Sequence, residues 1–452
     1  MKIRWLLCCW LFVSAGFAEE VKPWKIMHRE EIAKVWSGNP VGFAFLEKDG
    51  QLFAAFYSAE DKSMTVAQKK SPDAAWTFQK LPTKIGWDSH NYIAMAFDAD
   101  DILHVSGNMH AVPLIYFRAE KPMDITSLRA HHRMLAQDTS KEALQKAREN
   151  RVTYPQFFRS PDGTMIFTYR DGSSGNGVQI WNQYDRTTKT WKRFLDQPMF
   201  DGEGACNAYF QGPARDANGM YHVTWVWRDT PDAATNHDLS YMRSRDLVHW
   251  EKSDGTPLTL PVTRATGEVI APLQNGEGLL NSHVRIGFDT ENRVVVTYTR
   301  YDANKNNQLM QARLENGVWK TYQTTDWTHS WVFSGGGCLP GELGFGEVRV
   351  RNGKLVQYWN RKFEKSGEFE LDPATLKPIG PAPKMPATPA ACTKCENPQE
   401  NQRVKTGGMI DSRNPNRRYL FAWETLPVNR DRAHDVVPNP SVLRMFVLER
   451  EP

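Results

Sequence analysis

Short runs in which apolar and polar residues alternate recur along this chain, each preceded by a turn rich in Asp, Asn and Gly and each closing on aromatic residues. They are KDGQLFAAFY (48–57), DADDILHVSG (98–107), SPDGTMIFTYR (160–170), DANGMYHVTWVWR (216–228), DTENRVVVTYTR (289–300), RNGKLVQYWNR (351–361) and RNPNRRYLFAW (413–423). Alternation with a period of two marks β-strands, because successive side chains point to opposite faces of a sheet. The units stand roughly 50 to 75 residues apart, enough for four strands and their loops. A repeat of that length predicts an all-β chain folded as a seven-bladed β-propeller, in a single domain over 19–452.

A second fragment type lies between these units: SPDAAWTFQKL (71–81), DRTTKTWKRF (185–194), SRDLVHWEKS (244–253) and LENGVWKTYQ (314–323). These resemble the Asp-box turns of bacterial neuraminidase repeats, in which a tight turn leads to a Trp packed between sheets. Trp76, Trp191, Trp250 and Trp319 are accordingly expected to serve packing, since bulky aromatics supply much of the burial between sheets. One segment departs from the β pattern. In 139–151, TSKEALQKARENR, good helix formers follow Ser140 as a cap and place Ala143, Leu144 and Ala147 on one face. The Pro-rich stretch 379–391 reads as an extended surface connection.

Residues 1–18 read as a secretory signal, with Lys2 and Arg4 before an apolar run and with Gly16 and Ala18 suited to cleavage. The run is too short to span a bilayer, so the mature chain is expected to be secreted or periplasmic, with no membrane partner. The formal charge is only +4, and no basic run is interleaved with base-stacking aromatics, which argues against nucleic acid. Cys8 and Cys9 leave with the signal. Of the rest, Cys392 and Cys395 suit a disulfide in an oxidising compartment, while Cys338, Cys392, Cys395 and His329 together could make a structural zinc site. A structural calcium is the other metal considered.

Polar groups at the ends of inner strands carry the functional signal. Arg170, Arg228 and Arg300 end three successive units and Arg361 a fourth, so the guanidinium groups should gather at one mouth of the channel and bind carboxylate or sulfate. Pairing with Asp171, Asp229 and Asp302 is the alternative. In the segment 88–118, His90 precedes one strand and His110 follows the next, which returns both imidazoles to one end of a paired sheet. His104, inside the apolar strand, is expected to be a packed core residue. His237, His283, Arg228 and Arg300 are candidates for holding a sugar.

The segments DSHNYIAMAFD, HVSGNMHAVPLIYFR, RVTYPQFFRSPDG and FTYRDGSSGNG resemble the propeller polysaccharide lyases that act on ulvan and on rhamnose-glucuronate gums. The resemblance implies an active site of His90, His110, Tyr154 and Arg170 that cleaves the bond between rhamnose and C4 of a uronic acid. It implies as partner an acidic polysaccharide of rhamnose and uronic acid; the chain is expected to act as a monomer, and the proposed chemistry requires no cofactor. Arg170, with His90, would neutralise the uronate carboxylate, and Tyr154 and His110 would supply the base and the acid in either order. Three rivals stand beside this reading. A rhamnosidase of the same fold would need a histidine where the chain has Asn39, in VWSGNPVGF; a sialidase would need a Tyr–Glu pair and an arginine triad in recognisable contexts; a noncatalytic sugar-binding propeller would need no acid or base.

Overall fold

The computed structural model describes residues 22–362, 366–396 and 399–451, so the signal-like segment 1–18 lies outside the described residues. Within them the chain forms seven sheets with antiparallel ladders. In chain order, the first holds Ala44–Lys48, Gln51–Tyr57, Ser63–Lys69 and Thr77–Lys84, and the second runs from Ile93–Phe97 to Leu128–Ala130. The third is built on Val152–Arg159, Met165–Ser173, Asn176–Asp185 and Thr190–Arg193, and the fourth on Asn207–Arg215, Tyr221–Arg228 and Asn236–Ser244. The fifth spans Val284–Phe288 to Val318–Gln323 and the sixth Leu343–Phe345 to Pro378–Pro381. The seventh combines Arg403–Asp411, Asn414–Thr425 and Ser441–Glu449 with Lys25–Val35 from the start of the chain, registered from Lys25↔Glu449 to Val35↔Ser441.

Each of the seven repeats falls on a strand of a different sheet. Alternation of residue type does not translate into alternating exposure: Leu103–Gly107 and Tyr221–Arg228 are buried along their whole length. The reason is that both faces of a sheet are covered by neighbours, so the polar positions are buried too and must be paired. Thr168 Oγ1 donates to the Ile180 carbonyl at 2.9 Å, and Thr297, Gln311 and Gln357 close a buried hydrogen-bonded triangle.

The core is a series of layers between successive sheets. Phe53, Met64, Ile93 and Val105 join the first to the second; Trp181, Trp225 and Trp250 join the third to the fourth; Tyr241, Val284 and Val296 join the fourth to the fifth. Phe421 and Trp423 of the seventh pack with Leu52 and Phe56 of the first. Trp191 and Trp250 are buried in such layers, as their turn context implies. Truncating a fully buried aromatic such as Trp225 to Ala costs about 3–5 kcal/mol.

The helix in 139–151 is shorter than its sequence suggests. It covers Lys141–Lys146 with the Ser140 side chain accepting from the Ala143 N–H. Arg148 then turns left-handed, at φ 51°, and Glu149 drops into the interior, where its carboxylate accepts from the N–H groups of Met134, Leu135 and Ala136. Three backbone donors for one buried acid outweigh another helical turn. In the Pro-rich stretch, only Pro378–Pro381 pairs, at the edge of the sixth sheet, where missing N–H groups are tolerated.

Candidate active site

The register Ile93↔Gly107 places the residues before Ile93 and after Gly107 at the same end of the second sheet. His90 and His110 meet there, with ring centroids 4.1 Å apart. Asp88 bridges them: Oδ1 accepts from His90 Nδ1 at 2.7 Å and Oδ2 from His110 Nδ1 at 2.5 Å. His110 does not stay with the second sheet but starts the short edge strand His110–Val112 of the third, opposite Thr153.

Directly after Thr153 the ladder to Met165–Ser173 slips, from Thr153↔Arg170 to Gln156↔Thr168. The slip is a bulge that extrudes Tyr154 with φ 61°. A left-handed tyrosine costs on the order of 1–3 kcal/mol and persists only where its surroundings hold it, and bulges of this kind re-aim a side chain. Here the ring is turned onto Arg170, whose guanidinium carbon lies 4.9 Å from the ring centroid. Arg170, 1% exposed, donates to Thr153 Oγ1 at 3.1 Å and to the Tyr209 hydroxyl at 3.2 Å. Tyr209 comes from the fourth sheet and has Arg228 5.6 Å from its ring and Ser174 Oγ 2.7 Å from its hydroxyl.

The two phenols are driven in opposite directions. Burial raises the Tyr154 pKa above the ordinary tyrosine value, and nearby Tyr209 adds to this against the pull of His90 and Arg170. Burial also opposes ionisation of Tyr209, but Arg170 and Arg228, with the Ser174 hydrogen bond, lower its pKa on balance. Burial opposes charge on His90 as well, yet Asp431 and Asp88 raise its pKa and keep it cationic. Burial likewise opposes charge on Asp88, but the two imidazoles lower its pKa. With Nδ1 of His110 committed to Asp88, its Nε2 is the nitrogen left to exchange a proton.

His90, His110, Tyr154, Arg170, Ser174 and Tyr209 line a cavity of ≈ 480 Å³ together with Gln156, Arg228, Asn281, His283, Trp331 and Cys338. His90, His110, Tyr154 and Arg170, separated by up to 80 positions in sequence, thus share one site. Arg228 and His283 join them, the latter buried with a pKa depressed to about 3 by desolvation and by Arg285. Tyr209, Ser174, Asp88 and Asp431 belong to the site without having been singled out by sequence; Asp88 and Ser174 stood inside the resembling segments DSHNYIAMAFD and FTYRDGSSGNG, Tyr209 and Asp431 outside them. The remaining expectations need correction. Arg300 is exposed and lies 4.0 Å from Glu277; Arg361 lies over the rings of Trp327 and Trp359. Neither lines the cavity, and neither does His237, which is held between Asp229 and Asp238, each at 2.9 Å. Asp229 therefore serves His237 rather than Arg228.

The four residues proposed for zinc do not converge. His329 pairs with Glu342 at 3.1 Å, Cys392 is a buried free thiol among Leu420, Ala422 and Phe446, and Cys395 lies 3.9 Å from Gln402 Oε1. Cys338 is in the cavity, with its sulfur 3.6 Å from His90 Nδ1. Since Cys392 is free, no disulfide joins it to Cys395. Among the described residues, the set able to hold a metal is Asp88, His90, His110 and Asp431, with ligand atoms within 4.8 Å of one another. In this structure their protons and charges already satisfy one another. Asn39 is buried outside the cavity, accepting from Trp36 Nε1 at 2.6 Å and reaching Ser89 Oγ at 3.4 Å.

Residues 51–327 match the family described as "BNR repeat-containing family member". Over 207 residues the chain is 27% identical to the short isoform of ulvan lyase from Alteromonas sp. (strain LOR), a match covering 41% of this chain and 38% of that protein. Over 83 residues it is 43% identical to the long isoform of ulvan lyase from Glaciecola sp. (strain KUL10), covering 18% of this chain and 8% of that one. The matched regions thus span well under half the length of these relatives. Among solved structures, polysaccharide lyase Uly1 superposes with a TM-score of 0.60 at 14% identity, over 94% of this chain and 99% of that chain. A PL25 ulvan lyase bound to -[GlcA(1-4)Rha3S]- gives a TM-score of 0.54 at 13% identity, over 93% and 96%. At such identities the likeness is one of fold.

Proposed function

The chain belongs to the BNR repeat-containing family, and we propose that it is a secreted seven-bladed β-propeller polysaccharide lyase that cleaves between rhamnose and C4 of a uronic acid. The observation that carries this reading is the meeting, in one cavity, of a bridged imidazole pair, a neutral phenol and two buried guanidiniums. The ulvan lyases among its relatives and the shared fold support it. β-Elimination requires these groups. The C5 proton of a uronate is too weak an acid to remove until the adjoining carboxylate is neutralised, and in this reading cationic His90 and Arg170 supply that neutralisation.

In the reaction, His110 Nε2 takes the C5 proton, the C4–O4 bond breaks, a C4=C5 double bond forms, and Tyr154 returns a proton to O4. The direction follows from the environments: burial keeps the Tyr154 proton in place, which suits an acid, while Asp88 orients His110 as a base. A second reading takes Tyr209 as the base, on the ground that its arginines favour the phenolate. His283, neutral and buried at the cavity wall, and Arg228 would hold the sugar. No step uses a metal or cofactor.

The test is to incubate the mature protein with ulvan and with a rhamnose-glucuronate gum while following the ultraviolet absorbance of the unsaturated uronyl product. Product formation that falls by about 10²–10⁴ in both His110→Ala and Tyr154→Phe supports the assignment. Release of rhamnose without absorbance points to hydrolysis, and binding without any product points to a sugar-binding propeller.

A further inference from the structure

Beyond the cavity, one groove combines size, charge and rigidity without a role in the chemistry. It has a volume of ≈ 640 Å³ and lies between the segment around Lys141–Lys146 and the hairpin 171–178. Lys141, Lys146, Arg148 and Arg151 line it, all exposed. Its lining has a single carboxylate, Asp171, which is largely buried, accepts from the Arg151 backbone N–H at 3.3 Å and is 4.0 Å from Arg148. Glu142 lies on the helix but outside this lining.

The backbone that carries these cations is held in place. Glu149 fastens the segment through its three backbone hydrogen bonds, and Arg193 of the third sheet donates to the Ala147 carbonyl at 2.6 Å. The groove also adjoins the catalytic cavity, because the strands that form the hairpin wall both. Arg170, Ser174 and Gln179 line the cavity, while Asp171, Gly172 and Asn176 line the groove, so the one hairpin borders both. Gly172, at φ 122°, keeps the wall thin: a Cβ there would lie 2.5 Å from the Asn176 carbonyl oxygen.

We propose that this groove is a distal subsite for the same acidic polysaccharide, binding uronate or sulfate groups on sugars beyond those being cleaved. The assignment rests on the reading that the substrate is a uronate-bearing polymer. A cavity of ≈ 480 Å³ holds only a short stretch of such a chain, which must leave over the rim. Crossing the hairpin at Ser174 brings it to four cations carried on or beside an anchored segment. Each exposed contact is weak, but contacts to a tethered chain add as avidity, and the field favours capture of a polyanion.

The experiment compares the full-length mature protein with Lys146→Gln/Arg148→Gln/Arg151→Gln, with Lys146→Gln alone, and with Lys377→Gln as an exposed control in the turn before Pro378–Pro381. Retardation in native gels containing ulvan or a rhamnose-glucuronate gum reads binding without turnover. Initial rates on each polymer and on its tetrasaccharide read catalysis. The triple variant should lose about tenfold in polymer affinity and gain the same factor in polymer KM, with kcat and the tetrasaccharide KM unchanged. Lys146→Gln should show part of the loss and Lys377→Gln none. Unchanged retention, an equal loss on polymer and tetrasaccharide, or no retention of the wild type by either polymer overturns the subsite. Retention that depends on these cations without any unsaturated product leaves the subsite standing and removes the lyase reading. Product formation with cation-independent retention does the reverse.

Discussion

Arg170 and Arg300 occupy matching places in sequence, each ending an apolar strand after a Thr-Tyr or Tyr-Thr pair, yet one is 1% exposed in the cavity and the other stands in solvent. The difference lies in what packs over the strand end. In the third sheet the bulge at Tyr154 and the fourth-sheet Tyr209 form a pocket of aromatic faces and hydroxyls that accepts a guanidinium. In the fifth sheet the loop at Glu277 and Gly278 folds onto the strand instead. Thr299 donates to the Gly278 carbonyl at 2.9 Å and the Tyr301 N–H to Glu277 at 2.8 Å, so Thr299 and Tyr301 turn inward and Arg300 outward. The same residue type at the same strand end acquires a role only where the neighbouring sheet supplies partners.

The largest effect should separate these two arginines. In the proposed reaction Arg170→Ala removes charge at the developing enolate and takes one hydrogen-bond donor from each of Thr153 and Tyr209, and a kcat loss of about 10³ is expected. Arg300→Ala should stay within about twofold, since an exposed arginine 4.0 Å from its acid contributes little. Steady-state rates on one polymer decide the matter, and similar losses in the two variants would break the comparison.

What could be read in advance follows the same line. The seven repeats mark strands in seven different sheets because alternation and turn chemistry are local properties. The meeting of His90 and His110 was legible because a short antiparallel pair returns the chain to its start. Tyr209 was not, since NAYFQG carries no local sign that a residue from the preceding sheet, 39 positions earlier, will donate to it. Nor was Asp431, which reaches His90 from the far end of the chain at 3.3 Å. The zinc expectation failed for a related reason: a Cys spacing sets which thiols can meet locally, whereas Cys338 and His329 lie in the connection between the fifth and sixth sheets and Cys392 and Cys395 in the one before Arg403–Asp411 of the seventh.

The two walls of the cavity also treat histidine differently, and acid should expose this. His90 lies between carboxylates that keep it charged, whereas His283 lies against Trp331 and Phe345 with Nδ1 unpartnered among the described residues. A folded pKa of about 3 against an ordinary 6.5 means the unfolded chain binds the extra proton between those values. Stability from this group is therefore present above about pH 6.5 and lost as pH falls toward 3, by at most about 5 kcal/mol. His283→Phe should flatten the fall of the thermal midpoint between neutral pH and pH 4. A variant with the same acid slope as the wild type would mean that other groups set the acid limit.

The smallest effect is the most informative about mechanism, because it discriminates between the two bases. Ser174 contributes one hydrogen bond to the Tyr209 hydroxyl, and that bond adds to the lowering caused by Arg170 and Arg228. In Ser174→Ala the arginines remain, so the phenol pKa should rise part of the way back toward its ordinary value. A base must be deprotonated to act, so activity increases with pH through the titration of whichever group removes the C5 proton. If that group is Tyr209, Ser174→Ala moves the ascending limb of kcat to higher pH and changes the plateau by no more than about tenfold, the scale of one lost hydrogen bond. If it is His110, oriented by Asp88 on the other side of the cavity, the limb stays where it is in Ser174→Ala. A shifted limb would thus transfer the base from the imidazole pair to the phenol between the two arginines, while leaving Tyr154 as the acid.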